Sequence, residues 1–321
     1  MKYPSISIVI CTYNGQGLIK RLLDSIFSQN YSGKLEVICV DGGSGDGTLE
    51  LLKKYKVKIH HNLKKYPEGR GMGKDQGVKL AKNEIILIVD QDNRLIGKDC
   101  LRNLVLPFLK DKEIFGAACR LYVDENDNLT NRYLSYVGTD PFASNRSLEG
   151  RMALEKIQLK DCGEYFSYVI KEEESLCTGG NCFLYRKKVL DEVDGYTQDV
   201  DVIHSLLKKG FNKMAIAKNA YTHHYAISGF KEFLKKKWGW GWHYTFENKE
   251  NREISWFPKG FLAYLKFGIY IGKNLLIVPA LFVGVHHWIK DKDNSWLLHP
   301  FALFCNTFIY CLIGLIKTFR R

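Results

Sequence analysis

Two aspartates, Asp90 and Asp92, are separated by one residue and directly follow an apolar run at residues 84–89. Such a run predicts a buried strand, so both carboxylates would stand at its carboxyl end. Carboxylate oxygens are ligands for Mg²⁺ or Mn²⁺, and such a cation offsets charge on a departing diphosphate. An isolated Asp-x-Asp also occurs in ordinary solvated loops, so the strand context is what favours a metal site.

A third acidic residue, Asp41, follows the apolar run at residues 35–40 and precedes a glycine-rich loop. A carboxylate at the end of a strand can accept hydrogen bonds from a ribose or a base. The alternative is a turn-forming residue before Gly42 and Gly43, and the loop that follows can be a simple helix start. On the residues alone, both interpretations stay open.

These acidic residues lie in a repeating pattern of strand, polar loop and helix. Strands are predicted at residues 6–11, 35–40, 57–60 and 84–89, and amphipathic helical segments at residues 18–28, 49–55 and up to 82. This alternation indicates an α/β fold with a Rossmann-like, mostly parallel sheet flanked by helices. Open sheets of this kind bind ligands at their carboxyl edge, where the polar loops would meet.

The net charge of +12 favours an anionic partner. One basic cluster, residues 235–237, precedes the apolar C-terminal segments and another, residues 317–321, closes them, which favours a membrane surface over nucleic acid.

The nine cysteines lack zinc-like spacing and indicate reduced thiols in the cytosol. The first apolar run is too short for a signal peptide and is predicted to be a strand.

Four segments occur in a characteristic order: SIVICTYNG, EVICVDGGSGDGT, GMGKDQGVKLAKNEIILIVDQDN and TGGNCFLYRKKVLDEVDGYTQDVDVIHSLLKKG. Over roughly residues 4–225 the chain resembles family 2 glycosyltransferases with the GT-A fold. The resemblance implies inverting, metal-assisted transfer of a sugar from a nucleotide-sugar donor to a glycan or lipid-linked acceptor. UDP-sugars are the first choice of donor, and GDP- or dTDP-sugars the next.

The same resemblance implies roles for particular residues. Asp92 would hold Mg²⁺ or Mn²⁺ with the help of Asp90, and His224 would join them, although a surface position for this histidine stays open. The catalytic base would be Asp199, which removes the proton of the acceptor hydroxyl. The donor-binding residues would be Thr12, Tyr13, Asn14, Asp41, Lys74, Asp75 and Asp90.

Two positions depart from the family pattern. The acidic pair is Gln198-Asp199 instead of Glu-Asp, and Asp201 is an alternative base two residues on. The usual Arg-Asn pair is Lys74-Asp75, which adds a negative charge near the donor. Two other functions therefore stay open: a nucleotidyltransferase on a related fold, and an inactive membrane-tethered protein that binds nucleotide sugars.

We expect a catalytic domain at residues 1–230, with a donor half at about 1–115 and an acceptor half at about 116–230. Residues 231–321 would form an interfacial and hydrophobic helical region, a membrane-embedded hairpin. Residues 296–316 carry no charge and are long enough to span a bilayer, whereas residues 261–285 contain Lys266 and Lys273 and would lie in the interface or re-enter. Buried amphipathic helices are the competing interpretation. The catalytic domain would face the cytosol.

Overall fold

The structure is a computed structural model that describes residues 2–65, 72–144, 146–171, 176–196, 199, 201–247 and 260–320. The chain divides into two compact units. Unit 1 comprises Met1–Tyr122 and Leu154–His224, and unit 2 comprises Val123–Ala153 and Tyr225–Arg321. The division between a catalytic domain and a membrane-associated region at residue 230 stays a prediction.

Unit 1 is built on one sheet whose strand order is β3-β2-β1-β4-β9-β6-β10-β8-β7, with β5 paired to β10. The strands are β1 (Ile6–Thr12), β2 (Leu35–Asp41), β3 (Lys58–His61), β4 (Ile85–Asp90), β5 (Asn93–Ile96), β6 (Gly116–Leu121), β7 (Lys160–Asp161), β8 (Tyr165–Val169), β9 (Phe183–Arg186) and β10 (Lys213–His224).

The sheet is mixed. The pairs β1–β2, β1–β4, β2–β3 and β6–β10 are parallel. Strand β9 lies antiparallel between β4 and β6, and β10 pairs antiparallel with β5 and β8. The predicted α/β class with a Rossmann-like sheet is confirmed. Strands β1 to β4 are all parallel, as predicted, whereas the part of the sheet after residue 116, the expected acceptor half, combines the parallel pair β6–β10 with antiparallel pairs.

Helices cover the sheet of unit 1. They are α1 (Gln16–Phe27), α2 (Thr48–Leu52), α3 (Met72–Leu80), α4 (Cys100–Lys110), α7 (Lys187–Asp191) and α8 (Asp201–Lys208). In α1 the buried apolar residues Ile19, Leu22, Leu23 and Ile26 recur at helical spacing, and they pack on the interior of β1 and β2. This packing fixes the carboxyl ends of β1 and β2 beside each other.

Unit 2 is mainly helical. Its helices are α5 (Leu129–Val137), α6 (Arg151–Leu154, which ends in unit 1), α9 (Phe230–Trp242), α10 (Phe261–Leu275), α11 (Ile277–Asp291) and α12 (His299–Phe319), with short 3-10 turns at Pro141–Ala143 and Asn294–Leu298 and a π turn at His243–Glu247. Its core gathers Tyr133 and Tyr136 of α5 around the fully buried Trp296.

Among the described residues, one helical stretch, Asn294–Phe319, is by length and composition able to cross a membrane, with a mean hydropathy of 1.6. Helices α10 and α11 together pass the same test, but they are bent by 70° at their junction. Buried helices of soluble proteins have the same length and composition.

Candidate active site

A possible cation site lies where β4 ends. Asp90 is the last residue of β4, and β5 begins three residues later at Asn93 and runs antiparallel to β10 with Asn93 opposite His224. This register brings His224 Nε2 to 3.3 Å from Asp92 Oδ1. One ligand atom each from Asp90, Asp92 and His224 lies within 4.8 Å of the others.

These three side chains are chemically suited to a divalent cation. Two carboxylates with one imidazole form a donor set that Mn²⁺ accepts, and Mg²⁺ accepts the carboxylates. The preceding histidine, His223, points to the other side of β10, where its Nδ1 lies 2.7 Å from Arg21 Nη2. The alternation along β10 thus separates the two histidines as the sequence analysis assumed.

An amide network holds the loop that carries the two aspartates. Asn181 Oδ1 accepts hydrogen bonds from the Asp90 backbone N–H at 3.0 Å and from Asn93 Nδ2 at 2.9 Å. Asn93 Oδ1 in turn accepts a hydrogen bond from the Thr222 hydroxyl at 2.9 Å. Sequence reasoning assigned no role to Asn93 or Asn181, although both lie inside the segments that carry the family resemblance.

A buried lysine connects the possible cation site to the candidate base. Lys74, on α3, is only 7% exposed, and its Nζ lies 2.9 Å from Asp90 Oδ1 and 2.9 Å from Asp199 Oδ1. The ammonium also donates to the Gly180 carbonyl at 2.6 Å. Burial would lower the pKa of Lys74, but Asp199 and Asp90 outweigh it and raise that pKa well above its usual range.

The charge balance of this cluster favours a bound cation. The ammonium of Lys74 contacts the carboxylates of Asp90 and Asp199, and the carboxylate of Asp92 lies beside Asp90. Burial raises the pKa of Asp90, Lys74 opposes the rise, and the neighbouring carboxylates of Asp199 and Asp92 add to it. A second positive charge beside Asp90 and Asp92 would relieve this repulsion.

Asp199 is held from two sides and remains reachable from solvent. Its Oδ1 accepts from the Tyr196 hydroxyl at 2.9 Å as well as from Lys74, and its side chain is 46% exposed. Gly180 lies against it, since a Cβ at residue 180 would be 2.7 Å from Asp199 Cβ. The alternative base Asp201 begins α8 and is 1% exposed. Gln198, the other member of the pair, lies outside the described residues.

The loops after β1 and β2 are tied together by the residues predicted to line the nucleoside pocket. The buried Asp41 accepts hydrogen bonds from the Thr12 hydroxyl at 3.0 Å and from the backbone N–H groups of Gly43 and Ser44, both at 2.9 Å. Asn14 has a positive φ of 45°, and its Oδ1 accepts from Gly45 N–H at 2.9 Å. Asp41 therefore holds the loop that follows β2, and its predicted role in binding the donor stays a prediction.

Tyr13 is positioned by a residue that sequence reasoning passed over. Gln91, between the two aspartates, accepts from the Tyr13 N–H and donates to the Tyr13 carbonyl, both at 3.0 Å. The loop after β1 is thereby fastened to the loop after β4. The only prior signal was the position of Gln91 inside the Asp-x-Asp motif.

Asp75 differs from its neighbour Lys74 in what it contacts. Its Oδ1 accepts from the Tyr196 backbone N–H at 3.0 Å, and its Oδ2 pairs with Lys79 at 2.7 Å. A Cβ at Gly195 would lie 2.4 Å from Asp75 Oδ1. The carboxylate thus supports the loop before Asp199, which explains an acidic residue at this position, and its predicted contact with the donor stays a prediction.

The structure therefore brings together Asp90, Asp92, His224, Lys74 and Asp199 around one edge of the sheet. The nucleoside-side residues Thr12, Asn14 and Asp41 form an interlocked pair of loops, and Gln91 links Tyr13 to the same edge. Both groups stand at the carboxyl ends of β1, β2 and β4, where an α/β sheet binds nucleotides.

Relatives of this chain transfer sugars. A protein of Methanococcus voltae named dolichyl N-acetyl-alpha-D-glucosaminyl phosphate 3-beta-D-2,3-diacetamido-2,3-dideoxy-beta-D-glucuronosyltransferase is 25% identical over 335 aligned positions, which cover 97% of each chain. A poly(ribitol-phosphate) beta-glucosyltransferase of Bacillus spizizenii is 39% identical over 101 residues, 30% of this chain and only 16% of that relative's length.

Solved structures agree on the fold. A mannosyltransferase from Pyrobaculum calidifontis, in complex with GDP-Man and Mn²⁺, superposes with a TM-score of 0.53 at 15% identity and covers 97% of this chain and 88% of its own. The predicted GT-A fold is confirmed. Residues 7–194, more than half of the 321-residue chain, match the sequence model of one family. By that match the chain belongs to glycosyl transferase family 2, and it is a glycosyltransferase.

Proposed function

We propose that this protein transfers a sugar from a nucleotide-sugar donor to the hydroxyl of a lipid-linked saccharide, with inversion at the anomeric carbon. The observation that carries the proposal is the cluster in which the ammonium of Lys74 touches both Asp90 of the acidic motif and Asp199. Under this proposal, Lys74 contacts both a ligand of the cation, Asp90, and the catalytic base, Asp199.

The loops after β1 and β2 would hold the nucleoside. Thr12 is hydrogen-bonded to Asp41, Tyr13 to Gln91 and Asn14 to Gly45. Loops held in this way would lower the ordering cost of binding a nucleoside. UDP-sugars remain the first choice of donor, with GDP- and dTDP-sugars next, because these loops do not single out a base.

Asp90, Asp92 and His224 would hold Mg²⁺ or Mn²⁺, and such a cation supplies positive charge for the diphosphate that leaves. Lys74 is placed to add a second positive charge to the same leaving group. It can do so by giving up part of its contact with Asp90, which the cation would then neutralise.

Asp199 would act as the base. Its carboxylate accepts the proton of the acceptor hydroxyl while that oxygen bonds to the anomeric carbon and the bond from this carbon to the diphosphate oxygen breaks. A single displacement inverts the anomeric configuration. The exposure of Asp199 and the burial of Asp201 favour Asp199 for this role.

The acceptor and the location are inferred from the full-length relative and from unit 2. The relative from Methanococcus voltae is named for a dolichyl-linked sugar phosphate acceptor. Unit 2 exposes large apolar side chains on α10 and α11, and Trp238 and Trp240 of α9 are also exposed. We infer that the enzyme works at the cytosolic face of a membrane, where nucleotide sugars are available.

The proposal is tested by incubating detergent-purified protein with radiolabelled UDP-, GDP- and dTDP-sugars, Mn²⁺ or Mg²⁺, and lipid-linked saccharides. We expect labelled sugar in the lipid fraction and one nucleoside diphosphate per transfer. Asp199→Asn should reduce kcat at least about a hundredfold, within the range for loss of a general base, and Asp201→Asn should retain most activity in the molecules that fold. Release of pyrophosphate instead, or an unimpaired Asp199→Asn enzyme, would contradict the proposal.

A further inference from the structure

We propose that unit 2 docks on one leaflet of an anionic bilayer through an apolar surface of α10 and α11, and that none of its described helices crosses the membrane. This surface, called the lipid face below, consists of Phe261, Leu265, Val278, Phe282 and Ile289. The inference rests on the membrane association proposed above and specifies its geometry.

In α10 and α11 the large apolar side chains point outward and the small or polar ones point inward, which is the reverse of a helix on a soluble protein. In α10 the buried residue is Asn274, and in α11 the buried residues are Ala280, Gly284 and His287. These are small or polar, and those of α11 recur along one helix face. Small and polar residues between helices, with large apolar residues outside, are the arrangement of helices in lipid.

Apolar side chains of this size are rarely exposed together on a soluble protein. Phe261 is 81% exposed and Phe282 73% exposed. Large apolar side chains exposed in such numbers mark a contact with a membrane or another protein. The charge of the surrounding residues favours a membrane over another protein as the partner.

Residues 260–320 contain six basic and two acidic residues, and the acidic ones, Asp291 and Asp293, are paired within unit 2. The net charge of residues 260–320 is therefore positive, which suits anionic headgroups.

Two ion pairs hold the junction between α11 and α12. Asp293 pairs with Arg132 at 2.7 Å and Asp291 pairs with Arg151. Both arginines belong to the segment Val123–Ala153, whose two ends continue directly into unit 1. This polar segment has no apolar run long enough to cross a bilayer. Because this segment does not cross, we expect the end of α11 and the start of α12 on the same side of the membrane as both ends of the segment.

The rest of α12 is accompanied by a charged helix. Lys237 of α9 lies 3.4 Å from Asp140, which also accepts hydrogen bonds from Asn306 and Tyr310 of α12. Further on, a Cβ at Gly241 would lie 2.7 Å from Ile313 Cδ1. Helix α9 thus runs along α12, and it carries three consecutive lysines at residues 235–237. Moving α12 across the hydrocarbon region would take these charges with it, at a cost of about 3 kcal/mol each.

Helices α10 and α11 are also too short to span a bilayer singly. Each has 15 residues, or about 22 Å of helix, whereas a hydrocarbon core of about 30 Å needs about 20 residues. The bend of 70° between them turns the chain back toward the leaflet that it entered instead of through the bilayer. A shallow wedge in one leaflet accommodates this shape, and Lys266 and Lys273 can reach the headgroups.

Vesicle binding tests the lipid face. The full-length protein is titrated with sealed vesicles of phosphatidylglycerol and phosphatidylethanolamine, alongside the variants Phe282→Ser and Leu63→Ser. Leu63 is a matched control because it is 80% exposed but belongs to unit 1. We expect about tenfold weaker binding for Phe282→Ser, from the loss of one buried phenyl group, and unchanged binding for Leu63→Ser. Equal binding of all three proteins would overturn the lipid face.

Side-specific labelling tests whether the chain crosses. A keto amino acid at the exposed Lys290, which avoids the nine cysteines, is reacted with a membrane-impermeant hydroxylamine dye on inverted vesicles of an expression host. Complete labelling before detergent is added is expected. Labelling only after detergent would overturn the single-leaflet geometry. If Phe282→Ser instead dissociates a lipid-free dimer in light scattering, the occupant is a second copy and the proposal fails. Sugar transfer in detergent is measured separately, so its failure is distinguishable from either outcome.

Discussion

Replacing Tyr196 by phenylalanine tests whether the base is oriented by its neighbour. Tyr196 is fully buried, and its hydroxyl lies 2.9 Å from Asp199 Oδ1 and 3.2 Å from the Gly179 carbonyl. The substitution removes only this hydroxyl. A hydrogen bond to a charged group contributes about 1.5–3 kcal/mol. Because Asp199 is partly solvated and keeps its contact with Lys74, the lower value applies.

A loss of about 1.5 kcal/mol in the transition state corresponds to roughly a tenfold lower kcat. The KM for the nucleotide sugar should not change, since Tyr196 contacts the base and not the proposed donor pocket. The assay is steady-state release of nucleoside diphosphate with saturating acceptor. The free energy of unfolding, measured in urea, shows how much of the change is structural.

Tyr185 provides a matched control. It is also fully buried and donates to the same Gly179 carbonyl, at 2.9 Å, but no hydrogen bond joins it to Asp199 among the described contacts. Tyr185→Phe should lower the free energy of unfolding by about 1 kcal/mol and leave kcat near that of the wild type. Equal losses of kcat in both variants, or a change in KM alone for Tyr196→Phe, would refute the positioning role.

Three further predictions concern packing, pH and unit 2. Gly180→Ala should lower kcat at least about tenfold, since its methyl group would displace Asp199. Burial alone would raise the pKa of Glu36, but Lys58 and other hydrogen-bond donors lower it from 4.5 to about 2. Glu36 therefore stabilises the fold above pH 4.5, and as the pH falls to about 2 this contribution of about 2 kcal/mol is lost in the wild type but not in Glu36→Gln. Lys237→Met removes an ammonium that is 1% exposed and should reduce the free energy of unfolding by about 2 kcal/mol in urea titrations.

Each of these has an outcome that contradicts it. Gly17→Ala on the exposed face of α1, where a Cβ meets nothing within 4 Å, should leave kcat unchanged, and a loss as large as that of Gly180→Ala would remove the argument from displacement. Parallel acid unfolding curves for wild type and Glu36→Gln would show that Glu36 does not titrate on unfolding. An unaltered urea midpoint for Lys237→Met would show that the contact with Asp140 adds no net stability.

The sheet and its polar edge were predictable from the sequence because apolar runs end in acidic residues. The runs before Asp41 and Asp90 are β2 and β4, and their ends lie on either side of the end of β1. Alternation along β10 also placed His224, and not His223, on the side of Asp92. Local patterns of this kind follow from the period of a strand and need no tertiary information.

The contacts of Lys74 and Asp75 were not predictable in the same way. Lys74 meets Gly180 and Asp199, which lie 106 and 125 residues further along the chain. Asp75 turns instead toward the backbone of Tyr196. Consecutive helix residues point about 100° apart, and only the packing of α3 against the later loop decides which of them faces the site.

The composition of α10 and α11 likewise could not predict which faces of these helices are exposed. Their apolar residues fit a buried helix pair and a lipid-facing pair equally well. The decisive fact is that Asn274 and Gly284 are inside while Phe261 and Phe282 are outside, and this is a property of the packed unit.

Manganese binding followed by electron paramagnetic resonance tests the central claim most directly, because it needs neither the donor nor the acceptor to be known. The wild-type protein should bind Mn²⁺, and more tightly with a nucleoside diphosphate present. His224→Gln and Asp92→Asn should each weaken binding at least about tenfold, whereas His223→Gln should not. Binding that is unchanged in His224→Gln and Asp92→Asn would contradict the claim that Asp90, Asp92 and His224 form the cation site of this glycosyltransferase.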